Sequence, residues 1–345
     1  VNPDLKWEAT ETWGFGVDLT LFNKLSVTAD YYSKKTSDIL MKMETISMFA
    51  LNDYYANVGS VKNSGVELDI RYNERFGRVD FSFGGNIAYN KSEVLSIGID
   101  QNTENALNYI TIPGLDYDAV NMIGKPMGSI FGYKTAGIFR DQAELDSWVP
   151  YSSNLGKGER KLGDAKFIDT NNDGIVDAND RVPLGSTDPK WIFGFNIGAT
   201  WNNFDIHAFF QGAAGVKSII KEARGGLSDS TSKPHELWYD SWSPDNPGGK
   251  YPRLSSDGYG YGGDQTSLWI QNASYLRMKD LQIGYNVPKQ IVNRLGISRL
   301  RFYYSGQNLL TFTGMLSGFD PEAPSGRGNG FPQTLVNSFG LNLTF

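Results

Sequence analysis

The feature that most constrains this chain is a strict two-residue alternation of apolar and polar side chains, sustained over runs of about ten residues. In 13–21, Trp13, Phe15, Val17, Leu19 and Leu21 alternate with Gly14, Gly16, Asp18 and Thr20. After Asn23-Lys24 the scheme returns as Leu25, Val27, Ala29 and Tyr31, then as Val66, Leu68, Ile70 and Tyr72, and again as Val79, Phe81, Phe83, Ile87 and Tyr89. Trp191 to Trp201, Phe204 to Phe210, Leu300 to Tyr304 and the terminal Phe339, Leu341, Leu343 and Phe345 repeat it. Successive side chains of a strand point to opposite faces, so each run is a strand with one apolar and one polar face. Near Lys279-Asp280 the phase slips, with Leu276 and Met278 before it and Leu281, Ile283 and Tyr285 after, which predicts a β-bulge.

Two architectures accept such strands, a soluble sandwich and a membrane barrel. No run of 18 apolar residues offers a transmembrane helix. A chain like this can therefore span lipid only as a closed barrel, the other structure that satisfies its backbone there. Glycine, 39 of 345 residues, and aromatics at 13% suit long pleated strands with one small-residue face. The spacing of the runs separates the two architectures. Short turns near 22–25, 73–78, 124–126, 202–203 and 288–299 alternate with long connections near 38–57, 96–116, 140–189, 213–273 and 314–335. Short periplasmic turns alternating with long outer loops are a barrel property. The predicted fold is all-β, a transmembrane antiparallel β-barrel with about 11 strands, counting weaker ones near 117–123 and 129–139. An odd count leaves a closed bacterial barrel incomplete, so an upstream half is expected, making a barrel of roughly 22 strands. Val1-Asn2-Pro3-Asp4 has no initiator Met and no signal peptide, so a beginning upstream of Val1 is expected as well.

The net charge of −6 argues against nucleic acid as a partner. Without cysteine there is no disulfide, thiol nucleophile or thiolate metal site, and two histidines, His207 and His235, are too few for a multi-histidine zinc centre.

Several segments together are specific for a family. Asn2-Pro3-Asp4-Leu5-Lys6-Trp7-Glu8 comes first, then Gly163-Asp164-Ala165-Lys166-Phe167 running into Asp169-Thr170-Asn171-Asn172-Asp173-Gly174. Ser274-Tyr275-Leu276-Arg277-Met278-Lys279, Gln307-Asn308-Leu309-Leu310-Thr311-Phe312, Gly318-Phe319-Asp320-Pro321-Glu322 and the terminal Phe345 follow in order. In that order the chain resembles the SusC-type (SusC/RagA-like) TonB-dependent transporters of Gram-negative outer membranes, in the C-terminal half of their barrel. The resemblance implies an integral outer-membrane location and TonB-dependent uptake of a bulky glycan or oligopeptide. It also implies a SusD-like surface lipoprotein as lid, and a signal peptide and plug upstream of the residues seen here. No enzyme activity goes with it.

The sharpest local pattern is Asp169-x-Asn171-x-Asp173-Gly174-Ile175-x-Asp177-x-x-Asp180. Oxygen donors at positions 1, 3, 5, 9 and 12, a backbone carbonyl at 7 (Ile175) and Gly174 for the sharp turn match a calcium loop. A structural Ca²⁺ is the expectation there, against the plainer reading of an Asx-rich turn; no organic cofactor is expected. Trp238, Tyr239, Trp242, Tyr251, Tyr259, Tyr261 and Trp269 crowd the 213–273 connection. Exposed rings stack on sugars or anchor partner proteins, while buried ones form a loop's own small core. Gly258-x-Gly260-x-x-Gly263 spells a dinucleotide fingerprint but lacks the strand and helix that give it meaning, and no Gly-x-Ser-x-Gly elbow is present. The rival functions are a passive porin and a secreted soluble glycan-binding β-protein.

Overall fold

A computed structural model describes residues 5–43, 54–98, 109–112, 118–155, 158–219, 236–254, 261, 265–323 and 333–345. Two long hairpins come first: β1 (Ala9–Leu21) with β2 (Leu25–Met43), and β3 (Tyr54–Phe76) with β4 (Val79–Ile97). A first outer connection holds β5 (Tyr109–Ile112), β6 (Ala119–Met122), β7 (Ser129–Tyr133), β8 (Thr135–Ile138), helix α1 (Gln142–Ser147), β9 (Ala165–Phe167) and β10 (Arg181–Gly185). The hairpin β11 (Trp191–Trp201) and β12 (Phe204–Ala214) follows, then β13 (Lys217–Ile219) and β14 (Ile270–Asn272) in a second outer connection. Last are β15 (Tyr275–Asn286), the short α2 (Lys289–Val292), β16 (Arg299–Thr313) and β17 (Val336–Thr344).

Nine of these strands form one antiparallel sheet, in the order β1-β2-β3-β4-β11-β12-β15-β16-β17. The antiparallel barrel wall expected from the alternation is there. Two of the eleven expected strands are not in it. Residues 117–123 and 129–139 leave the wall, and β6 and β7 join β5 and β10 in a separate four-stranded sheet. Their runs are too short to cross a bilayer, and their buried residues, Val120 and Ile130, are enclosed on all sides rather than on one face. The turn at 124–126 belongs to that outer sheet, and every described residue of the expected connection 38–57 is strand, since β2 runs to Met43 and β3 starts at Tyr54.

The other short turns fall where expected. Asn202 takes a left-handed φ of 52° between Trp201 and Phe204, and Gly77 takes 62° between Phe76 and Val79. Both are conformations that two-residue hairpins demand and that Asn and Gly accept. The bulge predicted at Lys279-Asp280 is also present, and the register of β15 with both neighbours shifts between Met278 and Asp280.

In-register rows define the faces. Tyr31, Val66, Tyr89 and Trp191 lie side by side, as do Ile70, Gly85, Phe195 and Phe210. This apolar face points away from the barrel axis. The opposite, inward face is polar and tied by hydrogen bonds across strands, among them Thr28 Oγ1 to Asp18 Oδ1 at 2.6 Å. Tyr32 on β2 crosses β3 to donate to Asn90 Oδ1 on β4 at 3.0 Å. It can cross because Gly65 stands between them, where a Cβ would lie 2.6 Å from the Tyr32 hydroxyl.

The buried apolar cores lie at or above the upper strand ends. Val61, Val94 and Ile97 make one with Ile39, Ile110 and Ile123, and two more sit within the outer connections. This placement follows from the medium. Strands facing lipid keep their large side chains outside along the wall, so hydrophobic groups are buried together toward the strand ends and in the connections.

Candidate functional site

The structure offers two regions that can do chemistry with a solute: the polar inward face of the wall, and the module built by the outer connections above it.

In the module, a first core is made by Tyr133, Ala165, Phe167, Val176 and Tyr261. Tyr133 stacks on Phe167 at 4.5 Å, and Tyr261 meets Tyr151 edge-on at 4.9 Å. The Tyr151 hydroxyl donates to the Ala165 carbonyl at 3.1 Å and accepts from the Phe167 N–H, and burial pushes its ionisation up. Lys166 pairs with Glu144 of α1, a hydrogen bond that holds the Glu144 carboxyl below its ordinary range. Asp164 is buried and bonded by Arg253 Nε at 2.8 Å and by the Lys161 N–H; burial nonetheless raises its pKa. A second core joins Ile219 and Trp269 with Leu237, Tyr251, Leu316 and Phe319.

The aromatic candidates therefore part company. Tyr251 stacks on Trp269 at 5.7 Å and Tyr261 is 2% exposed, so both serve the module's own core. Trp242 lies against Gly163, with its buried indole N–H unpartnered. Trp238 is half-buried in the 3₁₀ turn Glu236–Asp240, whereas Tyr239 beside it is 91% exposed and free to meet a partner. Tyr259, like Gly258, Gly260 and Gly263, lies outside the described residues.

Residues 169–180 fold into one tight loop held by its own carboxylates. Asp169 accepts from the N–H groups of Asn172 and Gly174 at 2.6 and 2.9 Å, and Asp173 accepts from Ile175 at 3.0 Å. Asn171 takes the Asp173 N–H at 2.9 Å, and Asp177 the Asn179 N–H at 2.7 Å. Asp180, fully buried, accepts from Thr170 at 2.6 Å and Asp177 at 2.8 Å. Every carboxylate oxygen of the four aspartates thus has an N–H donor. Among the described residues no three carboxylates converge on a point that a cation could fill. The loop in this structure is a self-satisfied turn, so the cation expectation stands on donor spacing alone.

The most consequential site was not nominated from sequence. Arg277, inward-facing on β15, donates from Nη2 to Asp320 at 2.9 Å, from Nη1 to Glu322 at 2.6 Å and from Nε to Thr311 Oγ1 at 2.8 Å. Lys279 Nζ completes the cluster on Glu322 at 2.6 Å. Arg277 and Asp320 side chains are only 4% and 5% exposed. Asp320 also accepts from the N–H groups of Glu322 and Gln333 at 2.9 and 2.7 Å, so it closes the stem of the last outer loop. Burial works to raise its pKa, but those N–H bonds and Arg277 prevail and hold it below the ordinary range. The signal was present in two quoted segments, 274–279 and 318–322, whose charges are opposite and whose separation one loop can close. At the other end of the lumen face, Arg301 binds Asp205 and Gln282, at 2.5 and 3.0 Å from Nη2. His207 stands on the same face, 4.0 Å from Asp280.

Known proteins match this architecture from end to end. The family described as TonB dependent receptor-like, beta-barrel matches residues 1–309. The chain is 28% identical to TonB-dependent receptor P3 of Formosa agariphila, covering 100% of this chain and 35% of that protein. It is 24% identical to TonB-dependent receptor SusC of Bacteroides thetaiotaomicron, covering 100% of this chain and 32% of that one. The structure of the RagAB peptide transporter superposes over 100% of this chain and 36% of its own, with a TM-score of 0.75 at 25% identity. The chain thus spans about a third of the length of the relatives it matches. With that match over a nine-stranded wall that is apolar outside and polar inside, this chain belongs to the TonB dependent receptor-like β-barrel family, integral outer-membrane transport proteins rather than enzymes.

Proposed function

We propose that this chain is the C-terminal wall and outer mouth of a TonB-dependent importer that carries a bulky nutrient, an oligopeptide or a glycan, through its lumen. The observation that supports this best is the superposition of the whole chain on the RagAB peptide transporter, loop module included. The polar, glycine-bearing inward face offers a solute hydrogen-bonding groups along the wall, Asn90, His207, Arg277 and Arg301 among them. A SusD-like lipoprotein, seated on the outer module where Tyr239 stands exposed, is the proposed lid, and the upstream part of the same protein supplies the plug and the remaining strands.

The test is uptake of labelled oligopeptides and labelled oligosaccharides by cells carrying the full-length protein, with TonB present and absent. Uptake of one class that stops without TonB is expected. Uptake that continues unchanged without TonB is the behaviour of a passive channel and overturns the reading. A Ca²⁺ in residues 169–180 is a separate proposal, on which no step of import depends. It predicts that chelator hastens proteolysis of that loop.

A further inference from the structure

The lipid-facing surface of the wall carries a groove that the transport reading does not use. Its floor is Gly85 on β4. Leu68 and Ile70 on β3 form one side, Phe193 and Phe195 on β11 the other, and Phe83 and Ile87 the two ends; the space is ≈ 420 Å³. Register places Gly85 between Ile70 and Phe195, in a field of large side chains where it alone on its row has none.

The groove exists because the rings of β11 lean away from it. Phe193 lies over Gly212 of β12, so close that a Cβ there would be 2.5 Å from the ring. Phe195 stacks on Phe210 of β12 at 4.7 Å and 14°. Both rings therefore cover β12 and leave β4 bare. Phe83 covers only part of the gap, its ring tip 3.1 Å from where a Gly85 Cβ would be.

The position of the groove identifies its occupant. β11 is 11 residues long with Trp191 at one end and Trp201 at the other, the length of one bilayer crossing and the spacing of its two aromatic belts. Tyr89 packs beside Trp191 at 4.7 Å and marks the outer belt on β4. Gly85 lies four residues below it in the strand, about 13 Å along the chain. The exposed Lys62 and Lys91 stand on the same face above the belt, Lys91 shared with Glu93 at 2.7 Å. Opposite Phe195, Gly85 is four residues from Trp191 and six from Trp201, so the groove lies nearer the outer belt and opens to an apolar chain descending from the outer leaflet. In hydrocarbon no hydrophobic force drives a second protein surface into the groove, and whatever fills it is selected by van der Waals fit.

We propose that the groove over Gly85 is a specific seat for one acyl chain of an outer-leaflet lipid, lying along β4 between the side chains of β3 and β11.

The test uses the full-length protein in detergent, equilibrated with palmitoyl-oleoyl phosphatidylethanolamine and examined by native mass spectrometry. The wild type should retain one lipid more than Gly85→Leu, which fills the floor. Occupancy of that lipid should fall about fivefold as its close contacts are lost. Ile70→Trp, which overhangs the groove from β3, should act in the same direction and carries the test if Gly85→Leu does not assemble. Ala29→Leu, on the outward face of β2, should retain lipid like the wild type. Equal retention in all four proteins overturns the proposal. So does a wild-type dimer that Gly85→Leu converts to monomer at unchanged lipid content, because a second copy would then be the occupant.

Discussion

Arg277 shows how one side chain can organise a loop. Its three donors end on Asp320, Glu322 and Thr311, and the Arg277–Asp320 pair at its centre is almost shut off from water. Removing one member of a buried charge set costs about 3–5 kcal/mol, because the partner charges stay buried without compensation. Arg277→Met should therefore release residues 314–335 while the wall still assembles. Hydrogen exchange confined to that loop, with an unchanged heat-modifiable band, checks it. The pH dependence follows from Asp320, whose pKa is below its ordinary value in the folded protein. Such a group stabilises fully above the unfolded value, about pH 4, and that contribution is lost as pH falls through the lower, folded value. Protection of the loop should be flat above pH 4 and decline below it. Like Arg277, Asp180 organises its own loop through hydrogen bonds, on a smaller scale. Asp180→Ala leaves the N–H groups of Thr170 and Asp177 without their acceptor, a local loss of about 1–3 kcal/mol. Faster proteolysis within 169–180, with or without calcium, is the expected readout.

At the scale of elements, the wall depends on small residues where large ones cross. Tyr32 reaches from β2 to Asn90 on β4 only because Gly65 on β3 has no side chain in its path. A Cβ there would also come 2.2 Å from the Tyr89 carbonyl, which is backbone and cannot turn aside. Gly65→Val should lower the yield of assembled barrel, whereas Tyr32→Phe, which loses one hydrogen bond, should lower it far less. Comparing the heat-modifiable fraction of the two variants in the full-length protein decides this. If both behave alike, the hydrogen bond rather than the space matters. The bulge in β15 changes the phase of the strand, so that Met278 pairs outward with Phe210 and Leu281 with Ala208 on the same face. Without it, one half of β15 would turn its apolar side chains into the lumen.

For the whole molecule, the described strands form an open sheet: β1 and β17 each have a neighbour on one side only. Backbone groups on such edges have no partner in lipid. Residues 1–345 expressed alone should give no heat-modifiable, protease-resistant species, and co-expression with the upstream part of the receptor should restore one. A stable species from residues 1–345 alone would show that the two edges close on each other.

What the sequence by itself determined was the part governed by a one-dimensional period. Alternation from Trp13 to Leu21, or from Trp191 to Trp201, sets strand, faces and turn positions at once, because side-chain direction in a strand depends only on parity. Even the bulge at Lys279-Asp280 was visible as a break in that parity. The outer module was not legible in this way. Whether 117–123 is wall or loop depends on whether Val120 is covered on its second face, and only the folded chain, with Val120 opposite Ser129 of β7 and fully buried, answers that. Likewise, only the folded chain decided that Tyr251 and Tyr261 are core while Tyr239 is exposed, and that Arg277 meets Asp320. Burial and charge pairing are set by residues distant in sequence, whereas a strand's two faces are set by the next residue along.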